Sequence, residues 1–102
     1  MNGDLLDRRV VAALGAINAG RHAGMADLFD LLGGSVYELS QAVTGQAELA
    51  EDATVETFTR IWTLARHRSP ESTATRWVLD LACDVACVRR AGRDISATNH
   101  HP

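Results

Sequence analysis

Hydrophobic residues recur every three or four positions in four separate stretches of the chain, at 4–18, 25–44, 47–65 and 74–91. This spacing places them on one face of an amphipathic α-helix, whereas a half-buried strand would show strict alternation. Polar or glycine-containing connectors separate the stretches. The pattern therefore predicts an all-α fold, a compact bundle of three to four helices packed through their apolar stripes.

Glycines mark the expected ends and weak points of these helices. Gly33 and Gly34 lie in the middle of the second stretch and are predicted to kink that helix or to split it in two. Gly92 follows the last apolar position and is predicted to end the fourth helix. We therefore expect one helical domain over 1–92 and a flexible tail over 93–102, because the tail has little to bury.

The fourth stretch separates into two faces when it is turned by about 100° per residue. The core face is predicted to carry Trp77, Val78, Leu81, Ala82, Val85 and Val88. The opposite side is predicted to carry Arg76, Asp80, Cys83, Asp84, Cys87 and Arg90. This outer face therefore holds two carboxylates among its arginines.

The length and net charge of the chain exclude several classes of protein. With 102 residues, the chain is long enough for one compact domain and too short for two. A formal charge of −3 argues against binding duplex DNA by charge alone. No apolar run approaches the length of a membrane span, and the first residues lack the pattern of a signal peptide. A cytoplasmic protein with no membrane partner is expected.

No pattern of catalytic or cofactor-binding residues stands out. Cys83 and Cys87 share a helix face at i, i+4 and could supply two soft metal ligands, but no nearby His or Cys completes a tetrahedral set. Two small, partly exposed thiols without a disulfide are the simpler interpretation. The chain has no recognisable nucleophile–histidine arrangement and no glycine-rich phosphate loop. The sequence therefore predicts neither an enzyme nor a cofactor or metal site.

Three motifs carry a resemblance to a known family. Residues 50–62 read AEDATVETFTRIW and look like the signature A-E-D-x-x-Q-E-T-F-x-R-x-W. Residues 77–82 read WVLDLA and resemble W-L-x-x-I-A, and 25–37 resemble the helix that opens the same domain. In this order and spacing, over roughly 25–91, the motifs resemble region 2 of the extracytoplasmic-function (ECF) sigma factors. The resemblance implies a helical module of transcription initiation.

The resemblance implies that one face of the third helix docks on the coiled coil of the RNA polymerase β′ subunit. Carried over position by position, that face consists of Asp52, Glu56, Thr59 and Arg60, with Phe58 and Trp62 turned into the core. Spacings of three and four place the acids on neighbouring turns, where they could meet a partner's arginines. The alternative is a solvated face with internal ion pairs.

The resemblance also implies that the last connector and the fourth helix bind the −10 promoter element, holding a flipped base and a single strand. Recognition of this kind uses short polar side chains and cations near the backbone. The corresponding residues are Arg66, His67, Arg68, Ser69, Ser72, Thr73, Arg76, Asp80, Asp84, Arg89 and Arg90. The alternative is an ordinary polar surface loop.

Two departures from the family pattern affect the functional interpretation. Val55 stands where the family commonly has glutamine beside the docking acids. Asp80 and Asp84 lie on the face that in the family is rich in arginine and asparagine, and a carboxylate beside a phosphate weakens binding. The polymerase-facing signature is therefore better preserved than the DNA-facing one.

Besides a plain helical domain with a chance match of the motifs, two functional interpretations remain open. The first is an ECF-type sigma region 2 module that binds polymerase and −10 DNA, and the second is a degenerate sigma-like interaction protein. The second would bind polymerase or an anti-sigma factor without productive DNA binding. No region 4, the second domain that reads the −35 element, is expected within 93–102. Promoter recognition would then need a longer parent protein or a second sigma subunit.

We predict weak binding of the promoter strand, because Asp80 and Asp84 repel phosphates. A single-stranded −10 oligonucleotide should bind in the non-specific range, with a Kd of about 10⁻⁴–10⁻⁶ M at physiological salt. Fluorescence anisotropy with a labelled oligonucleotide measures this affinity. Nanomolar binding in moderate salt would contradict the prediction.

Overall fold

The computed structural model describes the backbone of 2–67 and 73–99 and the side chains of 4–67 and 73–92. These residues form a four-helix, all-α bundle and contain no strand. The helices are α1 (Asn2–Asn18), α2 (His22–Thr44), α3 (Ala47–Leu64) and α4 (Ala74–Asn99), with a short 3₁₀ helix, Ala65–His67, after α3. The predicted fold class is therefore confirmed. No helix in this part of the chain is both long and apolar enough to cross a membrane.

Helix α2 lies at the centre of the bundle and packs against each of the other three helices. Its residues Leu28, Leu32 and Val36 are almost completely buried. Burying a Leu or Val side chain contributes about 1.5–3 kcal/mol each, so this stripe is a substantial part of the core. The other helices contribute Val10, Leu14, Ile17, Phe58, Ile61, Val78 and Ala82 to the same core.

Two left-handed glycines produce the tight turns on either side of α2. Gly20 has φ +78°, and its N–H donates to Ile17 O at 2.9 Å while Arg21 N–H donates to Ala16 O at 2.9 Å. This hydrogen-bond pair is a Schellman motif that closes α1. Gly45 has φ +70° and donates to Gln41 O at 2.8 Å, which ends α2 in the same conformational region.

The predicted split of α2 at Gly33 and Gly34 is wrong, since the helix runs without a break from His22 to Thr44. Glycine in a helix interior costs only about 1 kcal/mol relative to alanine. Leu32 and Val36, one on each side, are both buried on the same stripe. Their burial outweighs the cost of the two glycines, so the helix continues.

The predicted end of α4 at Gly92 is also wrong, because α4 continues to Asn99. Gly92 does not have the positive φ that Gly20 and Gly45 adopt at the ends of α1 and α2, so the backbone continues in the helical conformation. The flexible tail is predicted over 93–102. The side chains of 93–99, and 100–102 entirely, lie outside the described residues.

The core face of α4 is rotated from the predicted one. Ala74, Val78, Ala82, Val85 and Ala86 are buried, and Trp77 and Leu81 are partly buried. Val88, predicted to be in the core, is 68% exposed. Ala74, Val78, Ala82 and Ala86 recur every four positions and form the buried line of α4. Val88 lies outside this line and is exposed to solvent.

A matched pair of glycine variants tests the close contact between α1 and α2. A Cβ at Gly24 would lie 2.7 Å from both Ala13 O and the Ala16 Cβ, whereas a Cβ at Gly34 would have no neighbour within 4 Å. Gly24→Ala should cost about 1–3 kcal/mol through overpacking. Gly34→Ala should stabilise by about 0.5–1 kcal/mol through helix propensity. Urea denaturation followed by circular dichroism measures both, and equal effects would contradict the proposed contact.

Candidate docking groove and the charged face of α3

An apolar groove of about 530 Å³ runs along the surface between α2 and α3. It is called the α2–α3 groove below. Its apolar and aromatic lining consists of His22, Met25, Phe29, Val55, Phe58 and Trp62. Thr54, Thr59 and Thr63 complete the α3 side. The hydroxyls of Thr54 and Thr59 donate to the carbonyls of Ala50 and Val55, at 2.7 and 2.8 Å, so these threonines present mainly their methyl groups.

Two aromatic pairs span the groove from helix to helix. The His22 ring stacks on Trp62 with a centroid distance of 5.2 Å and an interplanar angle of 2°. Phe29 and Phe58 pair at 5.2 Å with a tilt of 57°. Pairs of this kind contribute about 0.5–1.5 kcal/mol beyond their buried area. They fix the rings that form the groove floor.

The Phe29 ring packs against the helix at Gly33, where there is no side chain. A Cβ at Gly33 would lie 3.2 Å from three atoms of that ring, so the ring lies against the helix backbone. In this position Phe29 reaches Phe58 while remaining 53% exposed. Val55, on the facing helix, is 68% exposed. Large apolar side chains exposed together in one groove are characteristic of interaction sites.

The side of α3 that faces α4 carries an ion-pair network that joins the two helices. The guanidinium of Arg89 donates to Glu56 Oε1 from Nη2 at 2.8 Å and from Nε at 3.0 Å. Arg60 Nη2 lies 2.7 Å from Glu56 Oε2, and Arg89 Nη1 lies 3.7 Å from Asp52 Oδ2. One carboxylate is therefore held between two arginines, and one of these arginines comes from α4.

The residues predicted to dock on polymerase divide between the two sides of α3. Asp52, Glu56 and Arg60 belong to the ion-pair network, whereas Thr59 lines the groove. The internal ion pairs, set out above as the alternative interpretation, are therefore present. Of the two aromatic residues predicted to face the core, Phe58 is buried and Trp62 is partly buried.

The predicted DNA-contacting residues that precede α4 in the sequence lie in different structural environments. Arg66 and His67 are exposed in the 3₁₀ helix, and Arg68, Ser69 and Ser72 lie outside the described residues. Thr73 Oγ1 accepts a hydrogen bond from Arg76 N–H at 3.2 Å and so caps α4. Asp7 of α1 also contacts this helix end, where its Oδ1 accepts from Thr75 N–H at 2.9 Å and from Thr75 Oγ1 at 3.1 Å.

The predicted outer face of α4 is largely confirmed in its exposure. Arg76, Asp80, Asp84 and Arg90 are all exposed, and Arg76 Nε lies 3.7 Å from Asp80 Oδ2. Arg89 instead points towards α3, as described above. The exposed face is therefore close to neutral, with its two carboxylates in the middle.

The two cysteines are both free thiols. Cys87 is exposed and Cys83 is partly buried. Burial raises the pKa of the Cys83 thiol, and a hydrogen bond with Cys87 and the nearby charges of Asp84 and Asp80 raise it further. Among the described residues, no three metal-ligating side chains come together in a group.

No protein-family model, curated protein or solved structure matches the chain. The groove and the charged face are accordingly interpreted from their own chemistry.

The sequence pattern did not predict the α2–α3 groove. It placed the start of the second hydrophobic stretch at 25, whereas His22 begins α2 and stacks on Trp62. Phe29, within that stretch, is exposed in the groove and does not belong to the buried core. One signal for the groove is present in the sequence. Met25 and Phe29 on α2, like Phe58 and Trp62 on α3, are four residues apart and so share a helix face. Each of the two helices therefore has an apolar face wider than its buried stripe.

We predict that iodoacetamide modifies Cys87 before Cys83 at neutral pH. The raised pKa of Cys83 keeps it in the protonated form, and the thiolate is the reactive species. Modification of Cys83 should accelerate as the pH rises, because its thiolate then becomes populated. Peptide mass mapping of timed samples measures the two rates, and equal rates at neutral pH would contradict the assigned burial.

Proposed function

We propose that the chain is an RNA polymerase-binding module that resembles region 2 of the ECF sigma factors and uses the α2–α3 groove as its docking site. The observation that carries the proposal is the coincidence of two features on α3. The helix with the family-like signature also lines an exposed apolar groove, and it carries acidic residues along its edge. A chance match of sequence letters would not require such a groove.

The shape and chemistry of the groove suit a helix from a partner. Helix-in-groove recognition places apolar anchors, spaced three and four residues apart, into a hydrophobic cleft. Phe29, Val55 and Trp62 offer the apolar contacts. Glu48 and Glu51, both exposed, lie one or two turns before Val55 and supply negative charge at one end. The β′ coiled coil, with its amphipathic helices, is the partner that the resemblance implies.

Promoter-strand binding is the weaker half of the proposed function. Arg76 lies beside Asp80, and Arg89 is held by Glu56, so two of the proposed phosphate contacts are already partnered. Asp84 adds a further negative charge on the exposed face. We propose that the module acts in the cytoplasm and engages the −10 strand weakly, with help from another subunit.

An interaction protein without productive DNA binding is the second candidate. The near-neutral outer face of α4 favours it, since single-strand binding depends on cations along the backbone. Such a protein would occupy polymerase or an anti-sigma factor through the same groove. Retained polymerase binding with no measurable strand binding would select this candidate over the first.

Two equally exposed valines provide a matched test of the groove. Val55 lies in the groove and Val88 on α4, and each is 68% exposed. Val55→Arg should abolish co-elution of the chain with core RNA polymerase, because it places a charged side chain in the apolar contact. Val88→Arg should leave co-elution unchanged. Both variants should retain the wild-type helical content and Tm, which circular dichroism checks.

Three results of this experiment would count against the proposal. The wild-type chain failing to co-elute would remove polymerase as the partner. Equal loss in both variants would show a non-specific effect of added positive charge, and equal retention would show that the groove is not the contact.

A further inference from the structure

We infer that Asp52 and Glu56 form a guanidinium-binding site that Arg89 of α4 fills in the free chain, so that a partner's arginine must displace Arg89 to dock there. The inference deepens the proposed function and rests on it, because it adds the α4 side of α3 to the docking surface, next to the α2–α3 groove. It assigns Arg89 the role of an internal competitor.

The geometry at Glu56 is that of a built guanidinium site. Two nitrogens of Arg89 donate to the same carboxylate oxygen, at 2.8 and 3.0 Å, and the second oxygen receives Arg60 at 2.7 Å. Asp52 lies one turn away and faces the remaining nitrogen of Arg89 at 3.7 Å. Paired charge-assisted hydrogen bonds to a planar fork favour arginine over lysine.

The site remains accessible to a competing arginine. The side chain of Asp52 is 56% exposed and that of Glu56 is 26% exposed, while Arg89 itself is 34% exposed. Exchange of one guanidinium for another keeps the Glu56 carboxylate paired, and the group that loses its partner is the partly exposed Arg89. A lysine would restore the charge but not the forked hydrogen bonds.

The competition has a consequence for affinity. A partner arginine gains only the difference between its own contacts and those that Arg89 gives up. Removing Arg89 should therefore raise the affinity for an arginine-bearing partner. Arg90 is the natural control, because it is the adjacent arginine on the same helix and its nearest polar contact is Val43 O at 3.5 Å.

The test uses the full chain and a fluorescent helical peptide that carries two arginines four residues apart, with a lysine twin of the same length. Anisotropy at low salt should show Arg89→Gln binding the arginine peptide about three- to fivefold tighter than the wild type, the upper end of the effect expected of losing one exposed pair. Arg90→Gln should stay within about twofold of wild type, as expected of an arginine outside the network. The lysine twin should gain less from Arg89→Gln than the arginine peptide does.

A second measurement follows Arg89 directly. The wild-type chain is labelled with ¹⁵N arginine for NMR. As the arginine peptide is added, the chemical shift of the Arg89 Nε–H should move towards that of a solvent-exposed arginine. Arg89→Lys keeps a positive charge in place and guards against a loss of fold, and it should bind the peptide with intermediate affinity.

Several outcomes would overturn the inference. These are Arg89→Gln binding no tighter than Arg90→Gln, an equal gain for the lysine twin, an unmoved Arg89 signal at saturating peptide, or no peptide binding by Arg89→Gln at all. The polymerase experiment is independent of these measurements. Tighter peptide binding without polymerase co-elution would keep the guanidinium site and reject polymerase as the partner.

Discussion

Three aliphatic side chains of α2, Leu28, Leu32 and Val36, are almost completely shielded from water, and the positions of the other helices follow from that shielding. Helices α1, α3 and α4 all pack against α2. The approach of α1 is closest at Gly24, where a Cβ would lie 2.7 Å from Ala13 O. The remaining flank of α2, which includes Phe29, forms the α2–α3 groove.

Helix α3 has different chemistry on its two sides, and the difference bears on function. Its α2 side presents aromatic and aliphatic surface to solvent, whereas its α4 side is covered by ion pairs centred on Glu56. Exposed ion pairs contribute a median of about 0–1 kcal/mol to stability, and the central Arg89–Glu56 pair is only partly exposed. The network therefore adds modestly to the packing of α3 on α4.

Helix α4 links the proposed docking and strand-binding surfaces. Thr73 caps its first turn and Asp7 of α1 contacts the same turn, which ties the helix start to the rest of the bundle. Arg89, in the middle part of the helix, pairs with Asp52 and Glu56 of α3. In this arrangement the two carboxylates of the proposed docking face and one cation of the proposed strand-binding face are already partnered.

The sequence by itself determined the all-α class, a bundle of three to four helices and the exposure of the outer face of α4, because helical periodicity is a local signal. It did not determine where α4 ends, that Val88 is exposed, or that α2 continues through Gly33 and Gly34. Those outcomes depend on which helix packs against which residue. Only the tertiary structure brought Phe29 to Phe58, and Arg89 to Glu56, 33 positions away. A helical pattern shows which side chains share a face, whereas the partner of each face is decided by how the helices pack against one another.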